Sequence, residues 1–246
     1  MIGYNFREKN SSVKFKLLDL IREGKLKSNG KPNKLPSEND LAEILDVSLL
    51  TVREALKSLE FEGFISKKHG AGNFYHQSVL GLKMRIDLIA DYTSLLTDAG
   101  FTVETRQTDH SLRYPDEREQ HAFDLSPQER LVSFNRTYYA DGRVAILMTL
   151  ITPCSTLKIP FDENESIDTL EEFLWGHARI KIVNSIENLV PRNATETERA
   201  AFGLTTCCPM ICINHTFLSI LDEKVGFATS AFNPEIMKMN MIRKWY

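Results

Sequence analysis

The stretch LPSENDLAEILDVSLLTVREALKSLEFEGFISKKHGAGNF, residues 35–74, decides how this chain folds. Ser37 is placed to cap a helix by accepting a hydrogen bond from a free backbone N–H, and Asp40 three residues on gives a weaker capping box. The helix it opens spans Glu38 to Leu45. Asp46-Val47 leaves room only for a tight turn, after which Ser48 caps a further helix. Val52, Ala55, Leu56 and Leu59 fall on one face of that helix, and Leu49, Arg53 and Lys57 on the other. Gly63 closes it. FISKKHGAGNFYH then reads as two short strands turning at His69-Gly70-Ala71-Gly72, where glycine admits positive φ.

Working outward, an earlier helix runs from Val13 to Glu23 on the recurrence of Val13, Leu17, Leu18, Leu20 and Ile21, with Gly24 as its stop. A polar loop, KLKSNGKPNK, joins it to Leu35. Helix, short turn, helix, basic hairpin is the winged helix-turn-helix pattern, in which the helix after the turn enters the major groove of DNA and the wing touches backbone or minor groove. Two plainer readings compete with it. A helical pair with a hairpin also suits a protein-interaction module, and Arg53 or Lys67-Lys68 taken singly suits a solvated surface.

In order and in register, these forty residues resemble the DNA-binding domain of GntR-family bacterial transcription regulators. The shared pattern is Leu-Pro-Ser-Glu, Leu-Ala, Val-Ser-x-x-Thr-Val-Arg-x-Ala-Leu, Leu-x-x-x-Gly and a Gly-x-Gly wing. The resemblance implies a homodimer on a pseudo-palindromic, double-stranded operator. It assigns DNA contact to Ser37, Ser48, Leu49, Thr51, Arg53, Lys57, Lys67, His69, Gly70 and Gly72. Ser48 and Thr51 would meet phosphate or base at the helix start, Arg53 a phosphate or guanine edge, and His69-Gly70 the minor groove. Two positions depart from the family: Asn39 and Leu49 stand where arginine is common. Each removes a potential contact, although Leu49 suits a thymine methyl, and Lys31 and Lys34 are placed to restore some phosphate contact.

The chain has 246 residues, 42% hydrophobic and 26% charged, with net charge −3, which excludes a disordered or fibrous chain. No apolar run reaches the roughly 18–20 residues of a membrane helix, and MIGYNFREKNSSVKFK lacks the form of a signal peptide, so the expected location is the cytoplasm with no membrane partner. Divided at Ser78, the first part holds 13 Lys and Arg against 10 Asp and Glu, and the second 17 against 23. That asymmetry permits an anionic partner for the first part. Cys207, Cys208 and Cys212 in CCPMICI read as a buried, reduced strand. With Cys154 elsewhere, no ligand spacing supports zinc, and no metal or cofactor is expected.

Beyond Ser78 we expect a linker at 79–84 and a second domain at 85–246. A helix is expected from Met84 to Gly100, carrying Ile86, Ile89, Ala90 and Leu96 on one side. Strands follow in FTVETRQT, RLVSFNRTYYADGRVAILMTLITP, RIKIVNSIENLVP, PMICINHTFLSI and VGFATSAFN. Asp141-Gly142 marks a hairpin. Short helices are expected at Pro127–Arg130, Asp168–Trp175 and Glu196–Phe202, the last with a Thr195/Glu198 capping box. The fold class is α+β, with a mostly antiparallel sheet in the second domain.

That element order and the phrase Arg136-x-Tyr-Tyr-Ala-Asp-Gly142 resemble the UTRA effector-binding domain of the HutC subfamily, whose fold is like chorismate lyase. The resemblance implies an effector site at Asp91, Thr93, Arg136, Tyr138, Met148, Phe227 and Ser230, with Arg136 gripping an anionic group and Thr93 supplying a hydroxyl. Asp91, Tyr138, Met148 and Phe227 depart from the residues common there. These departures disfavour a sugar phosphate and favour a smaller or more apolar carboxylic acid or amine-bearing metabolite. The expected function is therefore a sequence-specific transcription regulator, a repressor by family habit, whose operator binding a small metabolite modulates. A DNA-architectural or interaction module with a vestigial pocket is the alternative. A lyase-like enzyme is less favoured, because no nucleophile or general acid stands beside an orienting partner.

Overall fold

The computed structural model describes residues 13–26, 31–88, 91–162 and 169–245, with backbone alone at 108 and 109. The chain forms two compact units. One is Met1–Ile89 joined by Met239–Tyr246, and the other is Ala90–Lys238. Residues 85–88 and the segment from Met239 thus belong with the first unit, where the sequence pattern had suggested a second domain spanning 85–246.

In the first unit α1, residues 13–22, stops at Gly24 with φ +67°. Helix α2 (Glu38–Leu45) carries a complete capping box: Ser37 Oγ accepts from the Asp40 N–H at 3.2 Å, and the Asp40 carboxylate accepts from the Ser37 N–H at 3.1 Å. Asp46 turns the chain in the left-handed region, and Ser48 caps α3 (Leu49–Phe61). Leu17, Leu18 and Ile21 pack with Leu41, Leu45, Val52, Ala55, Leu56 and Leu59 in one buried cluster. The apolar spacing of α2 and α3 therefore does what it suggests: it buries one face and leaves Arg53 and Lys57 on the other. Strands β1 (Ile65–Lys68) and β2 (Gly72–Tyr75) pair antiparallel, with Lys68 opposite Gly72. A short α4 (Gln77–Leu80) follows.

The helix expected over 84–100 is not formed as one piece. Met84 has φ +50°, Arg85 pairs as an isolated bridge with Asn240, and helix begins only at α5 (Tyr92–Asp98). Asp91 explains that start, since its carboxylate accepts from the Ser94 N–H at 2.9 Å. Ile89 and Ala90, part of the expected apolar face, lie outside the described residues.

The second unit is built on a six-stranded antiparallel sheet in the order β3-β4-β5-β8-β7-β6. Its strands are β3 (Val103–Arg113), β4 (Leu131–Ala140), β5 (Arg143–Pro153), β6 (Asn184–Asn193), β7 (Pro209–Leu218) and β8 (Lys224–Phe232). Asp141 and Gly142, both at positive φ, turn β4 into β5. Period-2 alternation splits each strand between two faces. On one face α7 (Leu170–Ala178) packs Phe173 and Leu174 on Phe134, Leu150 and Ala228. Nearby, Tyr92 of α5 lies edge-on to Tyr138 and Phe232. On the other face α6 (Glu117–Phe123) sets Phe123 against Phe227, and α8 (Glu196–Phe202) sets Phe202 against Cys212 and Ala231.

Several local expectations change here. Pro127–Arg130 is a turn, and the helix lies earlier, at α6, where Asp116 and Glu119 form a capping box that the apolar pattern did not reveal. Helix α7 runs on to Ala178, and Asp168, its expected start, lies outside the described residues. Arg179 in the left-handed region ends α7, so strand β6 starts at Asn184 and not at Arg179. Only Cys212 of the cysteine run is buried in a strand, where burial pushes its thiol up to about 11 against the opposing charge of Arg192. Cys207 is exposed ahead of β7.

Candidate nucleic-acid interface and effector site

The N-terminus of α3 carries Ser48 and Thr51 with their hydroxyls 2.8 Å apart, and the Thr51 N–H donates to Ser48 Oγ. One turn on, Arg53 projects from the exposed face. Its Nε donates to Glu38 Oε2 at 2.7 Å, while Lys67 Nζ of the β1–β2 wing reaches Glu38 Oε1 at 3.3 Å. Glu38, Arg53 and Lys67 line an open groove of about 430 Å³ with Leu56, Lys57, Glu60 and Asn73. The hydrogen bond from Arg53 holds the Glu38 carboxyl below its ordinary range, against a smaller desolvation effect, with Lys67 adding to it. One carboxylate therefore ties together the first helix of the motif, the second helix and the wing.

His69 and Gly70 are exposed at the wing tip, Gly70 with φ +70°, and Lys57 is exposed on α3. Gly72, φ +105°, leaves space that a Cβ would bring within 3.2 Å of Lys34 Cε. Leu49 is half-buried, whereas its neighbour Leu50 is 60% exposed. Leu50 is thus the more accessible apolar side chain at the helix start, a residue that the motif comparison passed over. Ser37 spends its oxygen on the α2 cap, and Asn39 is exposed beside it.

In the second unit, strand register places Arg136 opposite Met148 and Met148 opposite Ser230, three residues in one row on the α5/α7 face. Arg136 donates to Gln107 Oε1 at 3.0 Å. Tyr138 stands one step along β4 on the same face, its phenol pushed up by burial while Arg136 opposes that shift. Thr93 comes from α5, its hydroxyl 3.4 Å from that of Thr105. Asp91 is occupied as the α5 cap, and its bonds from the Ser94 N–H and hydroxyl hold its carboxyl low despite desolvation. Phe227 is not part of this row. It lies on the opposite face, 4.7 Å from Phe123 between ring centroids, because one residue along a strand reverses the side.

Beside Ser230 the structure adds a group that sequence reading missed. His215 Nε2 lies 2.8 Å from Ser230 Oγ and 3.2 Å from Tyr92 Oη, and its Nδ1 lies 2.5 Å from Glu187 Oε2. The His215 ring stacks on Phe217. Burial tends to raise the Glu187 carboxyl, but hydrogen bonding and charge from His215 hold it below the ordinary range. Burial likewise pushes the Tyr92 phenol well up. The only local signal was a histidine alternating with Ile213 and Phe217 on an apolar strand face. Its partners come from β6, β8 and α5 and have no local trace.

With these two sites in place, two family models match the chain. The model for bacterial regulatory proteins of the gntR family covers residues 9–74, and the UTRA domain model covers residues 98–238. The chain belongs to the GntR family and carries a UTRA domain.

It is similar to the HTH-type transcriptional repressor NagR of Bacillus subtilis (strain 168), 24% identical over 188 residues, covering 74% of each chain. Among solved structures it is similar to YydK from Bacillus subtilis subsp. subtilis, with TM-score 0.69, 20% identity and coverage of 96% of this chain and 99% of that one. PhnF from Mycobacterium smegmatis matches with TM-score 0.52 and 19% identity over 94% of this chain and 99% of that one. The fold is that of these regulators. A GntR-family chain of this architecture is a DNA-binding transcription regulator with an effector-binding second domain, the HutC-type pairing. Among the described residues, no helix is long and apolar enough to cross a membrane.

Proposed function

We propose that the protein is a cytoplasmic, homodimeric repressor that releases or retains its operator according to a small carboxylic acid or amine-bearing metabolite, acting by binding and not by turnover. The observation that carries the DNA half is the set of exposed Arg53 and Lys57 on α3 and exposed Ser48 at its cap, with half-buried Thr51 beside Ser48 and exposed Lys67 of the wing flanking the same groove. A helix N-terminus presents free N–H groups to phosphate, and arginine suits the O6/N7 edge of guanine. His69, Gly70 and Gly72 are assigned to the minor-groove side through the wing. The similarity to NagR, a repressor, supports the sign of the regulation.

For the effector, the reading rests on Arg136 in a row with Met148 and Ser230, with Thr93 and Tyr138 close by. A single guanidinium beside Met148 and the rings of Tyr138 and Tyr92, with only the Thr93 and Ser230 hydroxyls close by, suits one carboxylate on a compact body better than a polyhydroxylated sugar phosphate. What supports pairing of two copies is β6, an edge strand whose Ile186 and Leu189 are exposed, as are Val183 before it and Ile211 on β7. Such an edge invites a partner of like character.

The test is selection of genomic fragments by the purified protein at near-physiological salt, with the retained fragments sequenced. One palindromic motif is the expected result. Retention without any shared motif would overturn the regulator reading in favour of an architectural role. Incubation with small carboxylic acids, watching for loss of the retained fragment and for chemical turnover, then separates effector from substrate.

A further inference from the structure

The segment from Met239 onward lies outside both family matches, yet it is built into the DNA-reading unit. Asn240 is held at three points: its N–H donates to Met84 O, its carbonyl accepts from the Ile86 N–H, and its Nδ2 donates to Lys83 O, each at 2.9 Å. Ile242 and Lys244 pack over Gly63, where a Cβ would meet Ile242 Cγ2 and Lys244 Cε at 3.4 Å. Lys244 Nζ donates to Glu60 O at 2.8 Å and also to Phe61 O, and lies 5.2 Å from the Phe61 ring centroid. Arg85, 4% exposed, donates from Nη2 to Glu62 O at 2.7 Å, is held by both Asp87 oxygens and lies over the Phe64 ring.

Three consecutive carbonyls at the C-terminal end of α3, those of Glu60, Phe61 and Glu62, thus receive hydrogen bonds from two cations that arrive from elsewhere in the chain. The last carbonyls of a helix lack intrahelical partners and sit at the negative end of its dipole, so cations are the suited cap. Among the last-turn residues of α3 itself none is basic.

We propose that residues 239–245 are a strap that completes the DNA-reading unit, with Lys244 and Arg85 as positioning residues that fix the end of α3 and so the aim of Ser48, Thr51 and Arg53 at its start. The inference rests on α3 being the reading helix. Because the strap continues the chain from Lys238, it links the effector-binding unit to the reading helix by a second route, covalent at Lys238 and noncovalent where Lys244 and Ile242 meet α3, besides the chain through residues 83–91.

The experiment compares the full chain with Lys244→Met, which keeps the aliphatic stem over Phe61 and removes the charge, and with Lys244→Arg. Amide exchange of residues 60–65 is followed in the free protein, and affinity for a retained genomic fragment is titrated at several salt concentrations. Lys244→Met should speed exchange at those amides and weaken specific binding about five- to tenfold. It should leave the slope of log affinity against log salt unchanged, and Lys244→Arg should restore both readouts. Unchanged exchange and affinity in Lys244→Met overturn the proposal. So does a salt slope reduced by about one, which makes Lys244 a phosphate contact and not a positioning residue. If the wild-type chain retains no fragment, the reading-helix assignment fails, while the exchange measurement still decides whether the strap holds α3.

Discussion

Arg53 on α3 meets Glu38 at the start of α2 with its Nε 2.7 Å from Oε2, so the cation facing the groove is already paired in the free protein. In the DNA-contacting role proposed for Arg53, a phosphate or guanine edge must compete with that carboxylate. The pair orients the guanidinium and also tempers the field of the surface, since Lys67 shares the same Glu38.

Glu38→Gln should separate these two effects. Removing the charge adds one net positive charge to the groove, so binding to arbitrary duplex DNA should strengthen and depend more steeply on salt. Discrimination between the selected motif and arbitrary DNA should fall, because Arg53 and Lys67 lose their shared anchor. Both cations are more than half exposed, so fold stability should change by no more than about 1 kcal/mol. Fragment titrations across salt concentrations and a thermal melt check all three.

Arg53→Ala and Lys57→Ala should differ in kind. The first should cost about 1–3 kcal/mol of binding to the selected motif and relax its preference at one base position. The second should weaken all sequences alike and lower the salt slope by about one. If Arg53→Ala left specific binding unchanged, α3 would not be the helix that reads the groove.

Glu187 predicts an acid response of the second unit. Burial raises its carboxyl, but the hydrogen bond and charge of His215 together with the hydrogen bond from Ser185 hold it below its ordinary value in the fold. A depressed folded pKa contributes stability that is complete above the unfolded value, about 4.3, and is lost as pH falls through the folded value. Melting of the second unit should therefore drop from about pH 5 downward, and Glu187→Gln should make that drop shallower. Glu198, held low by Arg192 in the same unit, titrates in the same window and should keep the decline from vanishing. Thermal denaturation between about pH 3.5 and 7 provides the measurement.

Phe227→Ala and Arg136→Gln should give opposite phenotypes. Phe227 is 2% exposed and packs on Phe123 away from the Arg136 row, so its truncation should cost about 3–5 kcal/mol of stability and leave carboxylate affinity nearly intact. Arg136→Gln should leave the melt within about 1 kcal/mol and abolish the thermal shift produced by any small carboxylate that stabilises the wild-type unit. A calorimetric melt with and without added carboxylate reads both.

The first unit was legible because its signals are local. Ser37 and Ser48 lie three residues from the amides they cap, and the i, i+3, i+4 spacing of Val52, Leu56 and Leu59 sets the buried face within one helix. The second unit was legible only as a list of strands. Which residues share its site depends on pairings such as Met148 with Ser230 or His215 with Glu187, which join positions far apart in the chain. Phe227 shows the consequence: a motif comparison placed it near the site, and alternation along β8 puts it on the opposite face. The helix expected from Met84 failed for a related reason. Its apolar spacing suited a helix, but Arg85 is drawn into contacts with Glu62 and the segment around Asn240, none of them visible nearby in sequence.

The reading unit is discontinuous, its last portion separated from the wing by the whole of Ala90–Lys238. On the ribosome, α1, α2, α3 and the wing emerge long before the residues that hold the end of α3. A nascent chain thus carries an unfinished DNA-reading head until its sensor has been made, and a transcript broken within the sensor yields no complete head. Competence to occupy an operator is in this way tied to having finished the part that can be told to leave it.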